Sequence, residues 1–293
     1  MGPAPALHAA VLAALELTSE PCEWGGGGSS SLNATWRLSC RGRAWFVKAH
    51  AASGRAMLEA EAHGLRALAA AGAVRVPAPL AVGGTAQHAF LVLEWLPIGR
   101  GGRDAKLGRA LARLHAFLHT RFGFERDNTI GTTAQRNAWS DDWAAFFRDE
   151  RLAPQLALAA ARSAEGRSIA RVGERLLACV PALLRGHAPG ASLLHGDLWS
   201  GNAGATPDGE PVIFDPAAYY GDREADLAMT ELFGGFGADF DAAYREAAPL
   251  PPGYPVRREL YNLYHVLNHF HLFGGGYGRQ AGGMIGRLLA EAD

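Results

Sequence analysis

The stretch that decides the fold reads Leu193-Leu194-His195-Gly196-Asp197-Leu198-Trp199-Ser200-Gly201-Asn202, and residues 212–215 follow as Val-Ile-Phe-Asp. It places an aspartate, an asparagine and a second aspartate (Asp197, Asn202 and Asp215) in the order that phosphoryl transfer uses. A carboxylate beside the attacking hydroxyl comes first, and two oxygen ligands for Mg²⁺ come after it. Few other chemistries need this order, so it predicts a phosphotransferase.

Each of the three residues has an expected role. Asp197 follows an apolar run, so its side chain is expected to leave a buried strand for a cleft and to accept or orient the proton of a substrate hydroxyl. Asn202 offers Mg²⁺ a neutral oxygen, and Asp215, at the end of the Val-Ile-Phe run, is predicted to be its main ligand. Taken singly, Asp197 and Asn202 also suit turns. Together with Asp215 they favour the catalytic site.

Lys48 closes the apolar run 45–47 and is predicted to reach the α- and β-phosphates of a nucleotide. Its expected partner is Glu61 on the next predicted helix, with Glu59 as the competing candidate. If Lys48 and Glu61 stood alone in the sequence, the ordinary interpretation would be a surface lysine and a solvated glutamate. The pair precedes the motif of Asp197, Asn202 and Asp215 in the chain, and this order favours a phosphate-binding role for Lys48 and Glu61.

Residues 25–31 read Gly-Gly-Gly-Gly-Ser-Ser-Ser and precede the strand pair that contains Lys48. The backbone N–H groups of a loop made of Gly26, Gly27, Gly28 and Ser29 are predicted to cradle nucleotide phosphates, because glycine allows close approach. The segment matches no spaced phosphate-loop motif, so a flexible linker is the alternative.

Two further segments complete the predicted site. Glu94, Trp95 and Leu96 leave a short apolar strand at a junction, where an extended backbone can bind an adenine edge. An ordinary linker is the alternative. Asp226 begins a predicted helix and is expected to brace the catalytic loop through that loop's backbone amides, or to act only as an acid at a helix N-terminus.

The composition excludes several classes of protein. Of 293 residues, 48% are hydrophobic and 19% are charged, which is typical of a globular chain. The net charge of −1 gives no reason to expect a nucleic-acid or membrane partner. No apolar run approaches ~18 residues and residues 1–17 lack a basic leader, so we expect a cytoplasmic protein. We expect a monomer, with a dimer as the alternative.

The cysteines and histidines do not predict a structural metal site or disulfide bonds. Cys22, Cys40 and Cys179 are too few and too scattered to predict a disulfide framework or a zinc site, which indicates a reduced protein. The histidines at 265, 269 and 271 fit no ligand spacing, and we interpret them as core residues or substrate contacts, with His269 as the substrate candidate.

The pattern along the chain predicts an α+β fold of two lobes. A smaller set of elements is expected first: helices at 5–17 and 57–71 with Gly72 as the stop, strands at 35–40, 44–49 and 89–93, and an edge strand within the proline-containing segment 74–82. After the glycines at 99–102 the pattern is helical, at 107–119, 139–151, 173–184 and from Arg223 onward. We therefore predict a nucleotide-binding lobe with a small antiparallel sheet and one helix pair at 1–96, a hinge at about 94–102, and a larger, mainly helical catalytic lobe at 97–293.

The residues also resemble a known family. Residues 195–202, His-Gly-Asp-Leu-Trp-Ser-Gly-Asn, resemble the catalytic loop of small-molecule kinases with a protein-kinase-like fold, the relatives of aminoglycoside and choline kinases. Longer segments resemble the fructosamine (ketosamine) kinases more specifically; they are residues 214–236, 261–269, 273–277, 127–131 and 143–148.

This resemblance implies an ATP- and Mg²⁺-dependent kinase that phosphorylates the 3-hydroxyl of ketoamines, such as fructosyl- or ribulosyl-lysine, on glycated amines or proteins. Such 3-phosphates release the amine, so the implied role is deglycation. The resemblance assigns Asp197 as the base, Asn202 and Asp215 as Mg²⁺ ligands, and Lys48 with Glu61 as the phosphate-positioning pair. Trp199 is expected to pack on the sugar, with a core tryptophan as the alternative.

Two departures from related patterns matter. Pro216-Ala217 rather than Phe-Gly follows Asp215, so no protein-kinase-style switching is expected there. Some family members carry a loop cysteine that forms redox-sensitive dimers, whereas this glycine-rich segment carries none, so no redox control is expected. Alternatives are an aminoglycoside- or choline-type phosphotransferase and an inactive nucleotide-binding scaffold. The acids Asp239, Asp241 and Glu246 are too few to predict a site for polycationic drugs.

Overall fold

The computed structural model describes residues 2–18, 20–26, 34–99 and 101–292. The predicted loop residues Gly27, Gly28 and Ser29 lie outside these ranges. An antiparallel sheet forms the N-terminal part; its strands are β1 (Cys22–Gly25), β2 (Ala34–Cys40), β3 (Arg43–Ala51), β4 (Pro79–Gly84) and β5 (His88–Glu94). Their order is β1-β2-β3-β5-β4. The strand within the proline-containing segment begins at Pro79, later than predicted, and lies at an edge, as expected for a segment with missing N–H donors.

Successive side chains of a β-strand point to opposite sides, so this sheet has two different faces. Helix α1 (Pro5–Ala14) covers one face, where Leu7 and Val11 pack with Val47 of β3 and Phe90 of β5. Helix α2 (Arg55–Ala71) covers the other face and packs with Leu91, the neighbour of Phe90 along β5. The sheet between one helix on each face confirms the predicted N-terminal lobe with a helix pair.

The rest of the chain is mainly helical. Its helices are α3 (Ala105–His115), α4 (Trp143–Phe146), which continues through a π-helical turn at Phe147–Leu152 into α5 (Ala153–Arg162), α6 (Ala164–Leu183), α7 (Glu224–Leu232), α8 (Ala238–Ala247), α9 (Tyr254–Phe273) and α10 (Gly276–Ala292). Short strands lie among them: β6 (Leu118–His119), β7 (Asn128–Ile130), β8 (Thr133–Gln135), β9 (Ala191–Leu194), β10 (Ala203–Ala205), β11 (Pro211–Ile213) and β12 (Tyr219–Gly221). The predicted α+β architecture is confirmed.

Several predicted helix boundaries are wrong. The helix predicted at 5–17 ends at Ala14, and the helix predicted at 173–184 begins earlier, at Ala164. The predicted helix at 107–119 ends at His115, because the chain turns and Leu118 pairs with Ser192 of β9 instead of continuing the leucine stripe. The predicted helix at 139–151 begins only at Trp143, where the carboxylate of Asp142 accepts the N–H of Ala145 at 2.6 Å and caps the first turn.

The expectation of unpaired cysteines is also wrong. The antiparallel register of β1 and β2 places Cys22 opposite Cys40, with 4.5 Å between their Cα atoms, and the two form a disulfide. Cys179 is free. The separation of 18 residues hides this pair in the sequence, because only the strand register brings the two thiols together.

The N-terminal sheet and the helical part are joined by backbone hydrogen bonds. The N–H of Ile213 in β11 donates to the carbonyl of Arg75 at 3.0 Å, and the N–H of Gly99 donates to the carbonyl of Ala205 at 2.8 Å. Both contacts involve the β10–β11 hairpin, which therefore links the two parts. Among the described residues, none of the helices combines the length and the apolar character that a bilayer crossing requires.

Candidate active site

The segment 195–202 begins directly after β9, a strand whose four residues are all buried. Gly196 has a φ of 82° and lies so close to the carbonyl of Ala217 that a Cβ would not fit. Such a backbone favours glycine, and it turns the chain out of the core immediately before Asp197. The apolar run and the glycine thus deliver the carboxylate of Asp197 from the core into a cleft, where it lines a cavity.

Asn202 and Asp215 lie side by side because of the β10–β11 hairpin between them. Ala203 pairs with Ile213, and the N–H of Phe214 donates to the carbonyl of Asn202 at 3.0 Å. The Nδ2 of Asn202 donates to the backbone carbonyl of Asp197 at 2.9 Å, so its amide lies against Asp197 while its backbone is tied to the residue before Asp215. Asp215 has a φ of 57°, a strained value for a non-glycine residue and one that accumulates at functional sites.

Lys48 reaches the site because of its register in β3. It is opposite Leu91 and faces α2, whereas its neighbour Val47 faces α1. Its Nζ donates to Oε1 of Glu61 at 2.7 Å and to Oδ1 of Asp215 at 2.5 Å. Burial lowers the pKa of Lys48, but these two carboxylates raise it by more, so its pKa lies above the ordinary value and it is a cation at neutral pH.

The choice between Glu61 and Glu59 follows from helix geometry. Leu58 and Leu65 are fully buried, and Glu61 lies three residues after the first and four before the second, on the same face of α2. Glu59 points away and pairs with Arg55 on the same helix at 2.8 Å. Lys48 is therefore paired with Glu61, and Glu59 takes no part in the cleft.

Asp226 braces the turn before Asp197, as the sequence predicted. Its Oδ2 accepts the N–H of His195 at 2.7 Å, and its Oδ1 accepts the N–H of Gly196 at 2.8 Å. Burial would raise the pKa of Asp226, but the hydrogen bond and charge of His115 and the contribution of His195 outweigh it and hold the pKa below its usual range. A buried carboxylate thus fixes two backbone amides of the catalytic loop.

The donor set at this end of the cleft suits a divalent cation. Burial, and to a lesser extent the neighbouring charge of Asp215, raises the pKa of Asp197 to about 7. Oxygen donors from two carboxylates and one amide are the type that Mg²⁺ prefers. Asn202 and Asp215 therefore fit a Mg²⁺ ion as ligands, with Asp197 beside them in the same cavity, and the Nζ of Lys48 lies 2.5 Å from Oδ1 of Asp215.

The other end of the cleft is aromatic. One cavity of about 560 Å³ extends from Lys48 and Asp215 to Trp199 and His269. Aromatic rings lie around His269, with centroid distances of 4.9 Å to Phe233, 5.5 Å to Phe273 and 5.1 Å to Tyr277. Trp199 is 40% exposed, so it lies at the mouth of the cavity rather than in the core.

The structure brings seven of the predicted site residues into this one cavity. Its lining includes the predicted residues Lys48, Glu61, Asp197, Trp199, Asn202, Asp215 and His269. The lining does not include Gly26, Glu94, Trp95 or Leu96. The carboxylate of Glu94 instead pairs with Arg75, and the ring of Trp95 lies 4.9 Å below the guanidinium of Arg37.

Sequence reasoning missed several lining residues. The rings of Phe233, Phe273 and Tyr277 were not predicted as site residues, although all three lie in segments or next to segments that resemble the fructosamine kinases. Thr129 and Ile130 of the β7–β8 hairpin also line the cavity and belong to such a segment. The signal that could have found them is their membership of these segments, but only the fold shows which of their side chains reach the cleft.

A sheet lobe with a lysine–glutamate pair beside a loop with aspartate and asparagine is the arrangement of kinase-like phosphotransferases. The fold agrees. An aminoglycoside phosphotransferase solved as a thermostable mutant with AMP-PNP and hygromycin B has a TM-score of 0.59 at 15% identity, over 92% of this chain and 94% of that one. The chain therefore has the kinase-like fold.

The family follows from closer matches. The family model described as fructosamine kinase matches residues 15–291, and the chain belongs to that family. A Synechocystis sp. protein assigned as a ketoamine kinase is 51% identical over 248 residues, 84% of this chain and 83% of that protein. The chloroplastic protein-ribulosamine 3-kinase of Oryza sativa subsp. indica is 41% identical over 267 residues, 89% of this chain and 77% of that protein. A Haemophilus somnus crystal structure, assigned as a fructosamine-3-kinase, has a TM-score of 0.85 at 29% identity and covers 95% of both chains.

Proposed function

We propose that this protein transfers the γ-phosphate of ATP to the 3-hydroxyl of ketoamines, the fructosyl- and ribulosyl-amines that glycation produces. The observation that carries the proposal is the single cavity that joins Lys48, Asp197, Asn202 and Asp215 to an aromatic end around His269. A phosphoryl-transfer centre and an acceptor pocket thus share one cleft. The names of the ketoamine and ribulosamine kinases to which the chain is similar support this acceptor class.

At the phosphate end, each residue has a role that its position suits. Asp197 accepts the proton of the attacking hydroxyl, and Asn202 and Asp215 hold Mg²⁺. The bound ion neutralises charge on the phosphate oxygens. Lys48, which Glu61 holds at 2.7 Å, orients the α- and β-phosphates.

The nucleotide is proposed to lie against the lobe formed by residues 1–96, with the lobe of residues 97–293 providing the catalytic loop and the acceptor site. In this arrangement Gly26, Gly27, Gly28 and Ser29 cover the phosphates through backbone N–H groups. The backbone of Glu94, Trp95 and Leu96, in the hinge at about 94–102, binds the adenine edge. Support for this placement comes from Lys48, which lies on β3 of the sheet and points into the cleft.

At the acceptor end, Trp199 and His269 are proposed to contact the sugar and its amine. The Nδ1 of His269 donates to the carbonyl of His265 at 2.8 Å, and burial lowers the pKa of His269, so its Nε2 is an unprotonated acceptor at neutral pH. The aromatic faces around it suit the secondary ammonium of a ketoamine through cation–π contacts. Among the described residues of the lining, the carboxylates are Glu61, Asp197 and Asp215, all at the phosphate end. This distribution does not favour a polycationic aminoglycoside as the acceptor.

The product of this reaction, a ketoamine 3-phosphate, releases the amine, so the proposed role is the repair of glycated amines or glycated proteins. We propose that the enzyme acts in the cytoplasm as a monomer, with a dimer as the alternative. No nucleic-acid or membrane partner is proposed, in keeping with a net charge of −1.

The proposal is tested by ATP consumption with a panel of acceptors in the presence of Mg²⁺. The panel contains fructosyl-lysine, ribulosyl-lysine, choline, kanamycin and a blank without acceptor. Turnover with the two ketoamines is expected, and phosphorus NMR is expected to show the new phosphate on the 3-oxygen. Turnover only with choline or kanamycin would overturn the acceptor class, and tight binding of AMP-PNP without turnover of any acceptor would indicate a scaffold.

Variants of two aspartates test the catalytic assignment. Asp197→Asn removes the proton acceptor and is expected to lose at least about 100-fold in kcat while binding AMP-PNP with Mg²⁺, since general base catalysis contributes roughly 10²–10⁴-fold. Asp208→Asn, in an exposed turn after β10, is the matched control and is expected to keep full activity. Near-full activity of the Asp197 variant would show that the assignment of the base is wrong.

A further inference from the structure

Another cavity, of about 240 Å³, lies where the sheet lobe meets the helical lobe, and it shares no lining residue with the catalytic cleft. We call it the junction cavity. It is lined by residues 73–75 of the sheet lobe, by one face of α3, and by Glu210 and Pro211 of the β10–β11 hairpin. Its walls therefore come from both lobes and from the hairpin that carries Asn202 and Asp215 at its ends.

The junction cavity is strongly cationic. The basic side chains among its described lining residues are Arg75, Lys106, Arg109 and Arg113, whereas its carboxylate is Glu210. The last three basic residues occupy positions i, i+3 and i+7 of α3, which places them on the same face of the helix. The whole chain carries a net charge of −1, so this concentration of positive charge is a local feature.

Most of these cations keep unused hydrogen-bond donors. Lys106 donates to the carbonyl of Gly209 at 3.2 Å, and Arg113 donates to the carbonyl of Ala73 at 3.1 Å. Each contact uses one donor and neutralises no charge, although a guanidinium has five donors and an ammonium three. Arg75 is paired with Glu94. Arg109 has no ion pair or side-chain hydrogen bond within the described part of the chain.

Like charges held around one concave space repel each other and raise the local concentration of anions. Guanidinium groups match the oxygens of phosphate in pairs, and a phosphate that carries several charges can engage more than one of them at once. Two backbone carbonyls already hold the side chains of Lys106 and Arg113, so these side chains lose less conformational entropy when a ligand binds.

We propose that the junction cavity is a binding site for a small phosphate-bearing anion with two or more negative charges, separate from the nucleotide site. The anion contacts Arg109, Arg113 and Lys106 of α3 on one side and Arg75 of the sheet lobe on the other. Its size is that of a diphosphate group or a phosphorylated metabolite rather than a polymer, because the basic residues are confined to one cavity of about 240 Å³.

The test uses inorganic pyrophosphate as the probe and isothermal titration calorimetry at fixed ionic strength without divalent metal. The full-length wild-type protein is expected to show saturable binding, with inorganic phosphate weaker than pyrophosphate. The double variant Arg109→Ala/Arg113→Ala is expected to bind pyrophosphate more than 10-fold more weakly, because it removes two charge-assisted contacts. The matched control is Arg171→Ala/Arg175→Ala, two exposed arginines one turn apart on α6, and it is expected to bind like the wild type.

The melting temperature and the affinity for AMP-PNP with Mg²⁺ are measured for both double variants, and both are expected to match the wild type. Equal pyrophosphate affinity in the two double variants and the wild type would place the anion in the catalytic cleft and overturn the proposal. The absence of saturable binding to the wild type would overturn it as well. Neither result depends on which acceptor the kinase phosphorylates.

Discussion

The carboxylate of Asp226 accepts a hydrogen bond from the backbone N–H of His195, with 2.7 Å between Oδ2 and N, although 31 residues separate the two in the chain. Asp226 is 1% exposed, so water cannot replace this contact. The first turn of α7 thereby fixes the entrance to the loop that carries Asp197.

We predict that Asp226→Asn lowers kcat by roughly 10- to 100-fold and the free energy of unfolding by about 2–3 kcal/mol. The amide would set an NH₂ group against a backbone N–H of His195 or Gly196, which leaves a buried donor without an acceptor. The measurements are steady-state kinetics well below the melting temperature, and thermal unfolding. Asp241→Asn on α8 is the control, and equal behaviour of the two variants would contradict the bracing role.

The two neighbouring glutamates of α2 provide a matched pair of variants. Glu61→Gln removes the charge that holds Lys48 at 2.7 Å and is expected to lower kcat/KM for ATP by about 10- to 100-fold. Glu59→Gln, which loses its exposed partners Arg55 and Arg126, is expected to change kcat/KM for ATP by less than about 2-fold. A larger loss with Glu59→Gln than with Glu61→Gln would reverse the assignment.

Trp199→Ala is expected to raise KM for a ketoamine about 10-fold while KM for ATP stays unchanged. Its indole lies at the mouth of the cavity, and an aromatic contact contributes on the order of 1 kcal/mol beyond buried area. Trp199→Phe keeps an aromatic face and is expected to recover most of the loss. If both variants raised KM for ATP and left KM for the ketoamine unchanged, Trp199 would not contact the acceptor.

The buried His265 of α9 makes stability depend on pH. Burial lowers the pKa of His265 to about 3, whereas an exposed histidine titrates near 6.5. Between these values the unfolded chain binds a proton that the folded chain does not, so stability is retained above about 6.5 and falls as the pH decreases. The slope from this group is at most about 1.4 kcal/mol per pH unit.

His265→Gln removes this group, so we expect the variant to lose less stability than the wild type between about pH 6.5 and pH 5. The comparison uses free energies of unfolding from urea titrations at several pH values, because the slope is informative even if the variant is less stable throughout. His63→Gln, with a half-exposed side chain, is the control and is expected to keep most of the wild-type slope. An unchanged slope in His265→Gln would show that His265 is not the titrating group.

The pairing of Cys22 with Cys40 predicts the number of free thiols. Protein purified without reductant is expected to show one reactive thiol after denaturation, that of Cys179, and three after reduction. Reduction is expected to lower the free energy of unfolding by roughly 2–4 kcal/mol, as for other cross-links that close loops of this size. Cys179→Ser should keep the disulfide and its stabilisation. Three free thiols in the unreduced protein would contradict the pairing.

Much of the site could be predicted because its residues lie in short, chemically constrained segments. Gly196, Asp197 and Asn202 are close in sequence, and the apolar run before them already indicates a buried strand. The helix at 57–71 with its glycine stop was predictable for the same reason, since Gly72 has the left-handed φ of 62° that ends a helix. Local patterns carry such information without the rest of the fold.

Other features of the fold and the site could not be predicted from local sequence patterns. The leucine spacing that extended the α3 prediction to His119 was misleading, because the pairing of Leu118 with β9 overrides helical periodicity. Phe273 lies one turn after His269 on α9 and Tyr277 follows at the start of α10, but Phe233, just after α7, meets His269 only because α7 packs against α9. The secondary-structure propensities and the spacing of the residues do not reveal such long-range contacts.

The sequence by itself determined the chemistry of this protein, since the order of Asp197, Asn202 and Asp215 on turns after buried strands suits phosphoryl transfer and few other reactions. The tertiary structure alone decided which partners these residues have. Glu61 rather than Glu59 pairs with Lys48, Cys22 pairs with Cys40, and basic residues of α3 line the same cavity as Arg75. The physical reason is that strand register and helix phase select which side chains share a face, and those are settled by packing over the whole chain.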